Sequence, residues 1–462
     1  MAISPPFAEW ACQLAYSSIP EAAVRNTKSA ILDTVAATLA GVNEPVSQKL
    51  LTHQIKERSA GAATVVGSSC RCSAASAALV NGAMAHALDY DDVLTTTRSH
   101  PSAVLVPAVL AVGETLKRSG AEVITAYLAG LEAIDKIGSL VAFAQFAKGW
   151  HTTSTLGGLG AAVGAGKLLN LSQLQMRMAL GIAASMASGL QINFGTMTKP
   201  FHAGWAAQSG IMAARLAADG FTASEDVFSG KYNYLDALAR DASPLSAPAS
   251  FGAPFAVVSP GLHVKCYPCC FATHRALDAT LNIRAQVPTL DVKQILSVTC
   301  LAPGKSFSSL IIDSPTTGLE GKFSMQYTIS AALIDGRINV HSFTDEFVNR
   351  PEARALMPKV KKVEDPALAI VDPDGTDRRF TEVTITMVDG HVFKNKVVRP
   401  KGSVDVPLTD QELGEKFMEC STGILPAADQ TTALDMLRGL ESVRDISDLM
   451  TQLRVKGQAI AL

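Results

Sequence analysis

Apolar residues recur at helical spacing along most of the first 260 positions. Pro20 opens a run in which Val24, Ile31, Val35 and Leu39 share one face, and Gly41 stands where it stops. That is the layout of one amphipathic helix with proline in its first turn. Comparable runs cover 74–88, 103–118, 121–146, 153–169, 172–190 and 202–218, and Ser119-Gly120 and Asp219-Gly220 punctuate them. Gly157-Gly158-Leu159-Gly160 and Gly164-Ala165-Gly166 make 153–166 dense in small residues, which allows close helix crossings and predicts a central position in a bundle.

After about residue 260 the pattern changes. Gln294 to Leu301 reads as a strand and Phe323 to Ile334 as a helix. Phe380 to Val388 and His391 to Val398 alternate about Asp389-Gly390, a strong hairpin signal. Asp410 then reads as the cap of the first of two or three helices over 411–455. The expected fold is mostly α: a large all-helical domain from 1–260 and 403–462, and a smaller α+β lid domain over 261–402.

The composition supports a compact chain. Of 462 residues, 48% are hydrophobic and 18% charged, which excludes a disordered protein. A net charge of −2 and a pI near 6.5 give no reason to expect nucleic acid. Met1-Ala2-Ile3-Ser4-Pro5-Pro6 lacks the basic start and apolar run of a signal peptide. No stretch approaches the about 18 apolar residues of a membrane span. Eight cysteines without a disulfide-framework spacing fit a reduced setting. The expectation is a cytoplasmic protein with no membrane partner.

Charge distribution sharpens the picture. Between Asp135 and Asp219 there is no Asp or Glu, yet Lys136, Lys148, His151, Lys167, Arg177, Lys199, His202 and Arg215 lie there. A buried cation is costly unless something anionic meets it. Carboxylates from elsewhere in the chain, or an anionic ligand, must supply the balance.

Five stretches carry candidate chemistry. Asp89-Tyr90-Asp91-Asp92 leads to Arg98-Ser99-His100-Pro101, a histidine with carboxylates and an arginine nearby, suited to base and anion anchor; a solvated polar loop is the plain alternative. Gly149-Trp150-His151 precedes Thr152-Thr153-Ser154-Thr155, hydroxyls that can cap a helix or bind an anion with its first N–H groups. Thr198-Lys199-Pro200 sits in an acid-free connector before His202. Lys265, with Cys266, Cys269, Cys270, His263 and His274 around it, lies near the domain boundary, where clefts form; without two separated ligand pairs the cysteines do not make a zinc site. Lys322 to Tyr327 opens the lid helix, with Tyr327 either a core aromatic or a donor reaching into the cleft. No Walker loop, GxGxxG, GxSxG or HExxH is present, so catalysis would rest on acid–base side chains.

Together these stretches resemble the MmgE/PrpD family over nearly the whole chain: His86 to Asp92 with His100-Pro101-Ser102, Gly149-Trp150-His151, Thr198-Lys199-Pro200 through His202-Ala203-Gly204, Lys265 with Tyr267-Pro268 and Cys270, and Phe323-Ser324 with Gln326-Tyr327. The resemblance implies a helical domain with an α+β lid, a homodimer, and no metal or organic cofactor. By similarity to the decarboxylase branch, Asp89, His100, His151, Lys199 and Tyr327 fall on active-site positions. Arg98, Thr152, Lys265 and His274 are expected to bind substrate. Val93 replaces that branch's threonine, and the loop Leu94-Thr95-Thr96-Thr97-Arg98 is one residue longer. These departures tilt the expectation towards an epimerase of an iminodisuccinate-like dicarboxylate, which moves a proton α to a carboxylate. The alternatives are a lyase of cis-aconitate decarboxylase or 2-methylcitrate dehydratase type, and a non-catalytic polycarboxylate-binding protein.

Overall fold

The computed structural model describes residues 2–239, 250–368 and 379–455, so the extreme C-terminus of the expected helical domain, 456–462, lies outside the described residues. Helices dominate. The first half contributes α1 (Glu21–Ala40), α2 (Ala74–Ala87), α3 (Ser102–Leu116), α4 (Gly120–Glu132), α5 (Thr152–Leu168), α6 (Gln173–Ser185) and α7 (Thr198–Ala218). Every residue of α2 except Ala75, and of α5 except Lys167, is buried. Helices apolar on all sides belong in the middle of a bundle, and α7 packs against both of them.

Small residues set those crossings. A Cβ on Gly204 of α7 would lie 2.1 Å from the Leu79 carbonyl oxygen of α2, so a larger residue would force the two helices apart. This contact seats the second turn of α7 on the middle of α2, and Lys199 in the first turn of α7 meets His86 in the last turn of α2. The 121–146 run is not one helix: α4 passes into a π turn at Ala133–Ile137, and a short helix follows at Ala142–Ala147.

The second half contributes α8 (His274–Gln286), β1 (Ile295–Pro303), α9 (Met325–Asp335), β2 (Val360–Asp365), β3 (Thr381–Met387) and β4 (Val392–Val397). The sheet order is β2-β1-β3-β4; β1 and β2 are parallel, and the other pairs are antiparallel. The Asp389-Gly390 turn joins β3 to β4, with Gly390 at φ 90°, a value glycine adopts without strain. One apolar core runs from Ile3 to Val257 and takes in side chains from Leu413 to Leu453; a second lies between Cys269 and Met387. The closing helices α10 (Asp410–Ser421), α11 (Ala427–Arg438) and α12 (Ile446–Gln452) therefore pack on the first body. Thr409, not Asp410, caps α10, in a reciprocal capping box with Glu412; the threonine hydroxyl reaches the third helical N–H while Asp410 occupies the first turn. Among the described residues no helix is long and apolar enough to cross a membrane.

Candidate active site

After α2, Asp89 takes a left-handed conformation at φ 53°, and the following acids turn inward. Asp89, Asp91 and Asp92 are all buried, unlike a solvated helix cap. Val93 exchanges two backbone hydrogen bonds of 2.9 Å with His263, and Leu94 pairs with Ser99, so the loop that carries Arg98 is pinned at both ends. His100 follows, its backbone N–H donated to Thr153 Oγ1 at 3.1 Å.

Lys199 stands in the first turn of α7 rather than in a connector. Pro200 is tolerated there because the first helical N–H groups have no partner within the helix. The ammonium reaches Asp89 Oδ1 at 2.6 Å and His86 Nε2 at 2.8 Å. His86 Nδ1 lies 2.9 Å from Asp91, and His100 Nδ1 lies 3.3 Å from the same carboxylate. Lys265 Nζ approaches Asp89 Oδ2 at 3.2 Å from beneath. Asp89 is therefore the carboxylate that answers one cation of the acid-free stretch.

Burial works against charge throughout this cluster, and the ion pairs decide which groups keep it. Desolvation opposes ionisation of Asp89, but Lys199 and Lys265 hold it well below the usual carboxylate range. Asp91 is likewise held low against burial by His86 and His100. The imidazoles go the other way: burial takes His86 down to about 4, and lowers His100 and His151. Near neutral pH the histidines are uncharged, able to exchange a proton at one ring nitrogen. His151 Nδ1 lies 3.0 Å from His202 Nδ1, and Phe194 meets its ring edge-on.

These groups open onto a cleft of about 170 Å³ between the two cores, room for about six waters at roughly 30 Å³ each and hence for a small acid. Its helical side is Asp89, Arg98, His100, His151 and Lys199; the opposite side carries Arg275, Lys305, Ser306, Ser308, Ser309 and Arg379. Arg98 is stacked over Phe143 and Phe146 at 4.8 and 5.0 Å. Cations outnumber carboxylates on this lining, and Asp89 is already engaged by two lysines. Among the described residues, His86, Asp89, Asp91 and His100 form a group that could geometrically hold a cation, but the Lys199 ammonium occupies both His86 Nε2 and Asp89 Oδ1.

Residues 6–245 match the MmgE/PrpD N-terminal domain and residues 267–442 the MmgE/PrpD C-terminal domain. The chain belongs to the MmgE/PrpD family. It is 30% identical to a cis-aconitate decarboxylase of Homo sapiens over 471 residues, covering 98% of this chain and 94% of that protein. It is 28% identical to the Mus musculus cis-aconitate decarboxylase over 477 residues, 99% and 94% of the two chains. The Aspergillus terreus protein of the same name is 26% identical over 474 residues, 97% and 95%. Membership of the family makes the chain an enzyme.

The candidate residues separate by position. Asp89, Arg98, His100, His151 and Lys199 line the cleft; Thr152, Lys265, His274 and Tyr327 are not among its lining residues. Thr152 donates its hydroxyl to the Arg98 carbonyl at 2.7 Å, so it holds the loop and does not face an anion. None of the four hydroxyls at 152–155 caps α5: Thr153 accepts from His100, and Thr155 bonds Gln145. Lys265 is fully buried under Asp89. His274 is buried, faces the Cys269 carbonyl at 3.4 Å, and is taken down to about 3 by desolvation. Tyr327 gives its hydroxyl to the Ser342 carbonyl inside the second core, the core-aromatic alternative of the two read for it. The sequence assigns no specific role to His86, Asp91, Phe194 or Lys305. Asp91 lies within the acidic candidate stretch, and His86 left a local signal as a histidine at the end of an otherwise apolar helix, three residues before Asp89; Phe194 and Lys305 left none.

Proposed function

We propose that this family member is a lyase that decarboxylates cis-aconitate or a close unsaturated tricarboxylate, working through its own acid–base groups. The relatives' names favour this lyase reading over the epimerase that the Val93 position and the longer loop suggested. The observation that carries it is the Lys199 ammonium, clamped between Asp89 and His86, at a cleft with cations on both sides. Breaking the bond to the methylene-borne carboxylate releases CO2. The electron pair becomes a new terminal double bond, and the old double bond shifts charge onto the carbon beside a remaining carboxylate. That carbon then takes one proton, so a trianion and a proton become a dianion and CO2. Preorganised cations facing the developing charge are usually the largest catalytic contribution. Lys199 is placed to oppose that charge and carries a proton to give, Arg98 and the Lys305 side are placed for the carboxylates that stay, and neutral His100 can exchange a proton with either substrate or water.

The test is CO2 release by the purified protein supplied with cis-aconitate, a hydroxy-tricarboxylate or an amino dicarboxylate. CO2 from cis-aconitate with a matching alkene product is expected. Dehydration of the hydroxy acid, or inversion of the amino acid, without CO2 would overturn the reading.

A further inference from the structure

Three consecutive carbonyls in the turn that leaves α2, those of Leu88, Asp89 and Tyr90, each receive a different buried ammonium. Lys322 Nζ donates to the Leu88 carbonyl at 3.0 Å, Lys265 Nζ to that of Asp89 at 2.6 Å, and Lys416 Nζ to that of Tyr90 at 3.0 Å. The lysines come from the turn before α9, from the segment after residue 260 and from α10. Their relative exposures are 2%, 0% and 5%. The Leu88 carbonyl, at the C-cap of α2, has no partner within the helix and lies at the negative end of its dipole, and those of Asp89 and Tyr90 belong to the turn beyond. Lysines usually keep their head groups in water, so three buried at one helix end need a reason.

Their second contacts supply it. Lys322 also bonds the Pro268 carbonyl at 3.0 Å, and Lys416 the Lys265 carbonyl at 2.8 Å. Each therefore fastens the 265–268 segment to the 88–90 turn. Lys416 is neutralised by Asp33 Oδ1 at 2.6 Å and lies 3.6 Å over the Tyr90 ring; Lys322 lies 4.7 Å over Phe343. Between the two clamps stands Asp89 at its left-handed φ, the residue that fixes the Lys199 ammonium. We infer that Lys322 and Lys416 are positioning residues: they hold the Asp89 turn in register with Lys265, and through Asp89 set where Lys199 points. Neither touches the cleft. A small displacement of a catalytic group costs rate out of proportion to stability, so the effect belongs in kcat.

The inference rests on the lyase reading only for its assay, and wild-type protein run in parallel separates the two: no wild-type turnover defeats that reading alone. Lys322→Met keeps the stem and removes the ammonium. Asp33→Asn with Lys416→Met removes the second ammonium without stranding a buried carboxylate. In folded protein, counted by circular dichroism and active-site titration, each should lower kcat by about 10- to 100-fold with KM within about threefold. Wild-type kcat per folded molecule in either variant, whatever its melting temperature, would overturn the inference. Failure of both to fold would also overturn it, by assigning the lysines to stability alone.

Discussion

The helical side of the cleft holds most of its charges in buried, mutually compensated positions, whereas the side from the second body presents Lys305 and three serines on a loop, with Arg275 at the start of α8. Asp89, Asp91, His86 and Lys199 are all buried, and each meets a partner within 3 Å or so. Lys305 and Ser308 are exposed, and Ser306 and Ser309 half-buried, on the turn that follows β1. Lys305 itself sits at φ 64°. Chemistry that depends on sub-ångström placement suits the first setting. Adjusting to the shape of a substrate suits the second, since loops on a rigid scaffold carry specificity at little structural cost.

The strongest way to break this comparison is Lys199→Met. It removes the cation facing the developing charge and should lower kcat/KM for CO2 release by about 10²–10³-fold. A loss below about fivefold would move the chemistry elsewhere. Lys305→Ala probes the other side: KM should rise by roughly 3- to 10-fold with kcat nearly unchanged, the pattern of lost uniform binding. A fall in kcat with constant KM would place Lys305 in the chemical step and erase the distinction.

Acid titration adds a readout in stability. Burial brings His86 and His202 to about 4 and His274 to about 3, from an ordinary 6.5. Their folded pKa values are depressed, so on acidification the unfolded chain takes up protons first, and stability present above about pH 6.5 is lost towards pH 4. His100 and His151, also lowered by burial, act in the same sense. Asp92, raised to about 8, acts in the opposite sense, as do the carboxyls of Asp33, Glu44, Glu114, Glu132 and Asp278, raised by desolvation. The test is therefore the difference from wild type in melting temperature between about pH 6.5 and pH 4. His202→Asn should lose less stability on acidification than wild type, and Lys305→Ala the same; a His202→Asn profile parallel to wild type would refute the assignment. The smallest effect is expected from Tyr327→Phe. Turnover should stay within about twofold while stability drops by about 1 kcal/mol for one lost hydrogen bond, and a collapse of kcat would return Tyr327 to the cleft.

What was legible in the sequence was local. The β3–β4 hairpin followed from alternation about Asp389-Gly390, and α2, α3, α5 and α7 from their apolar runs. β2 escaped because it is an edge strand: Lys361, Lys362 and Glu364 leave Val360 as its buried apolar residue, and charge on an edge erases alternation. Arg98, His100, His151 and Lys199 could be picked out by residue type and neighbours. Lys416 could not, because its partner at Tyr90 is 326 residues away, and Lys322, although it opens a candidate stretch, gave no sign of its bond to Leu88, 234 residues away. The Lys305 turn was invisible for the same reason: only the packing of the second body brings it opposite His100. The epimerase preference rests on Val93 and one loop; Val93 pairs its backbone with His263 and also lines the cleft, but residue type at one position does not specify the reaction.

The most direct measurement is to run the enzyme on cis-aconitate in D2O and follow substrate and product by NMR. The account predicts one equivalent of CO2 per product and a single solvent deuterium at the carbon beside a remaining carboxylate. Deuterium entering an otherwise unchanged substrate, with no CO2 released, would contradict it.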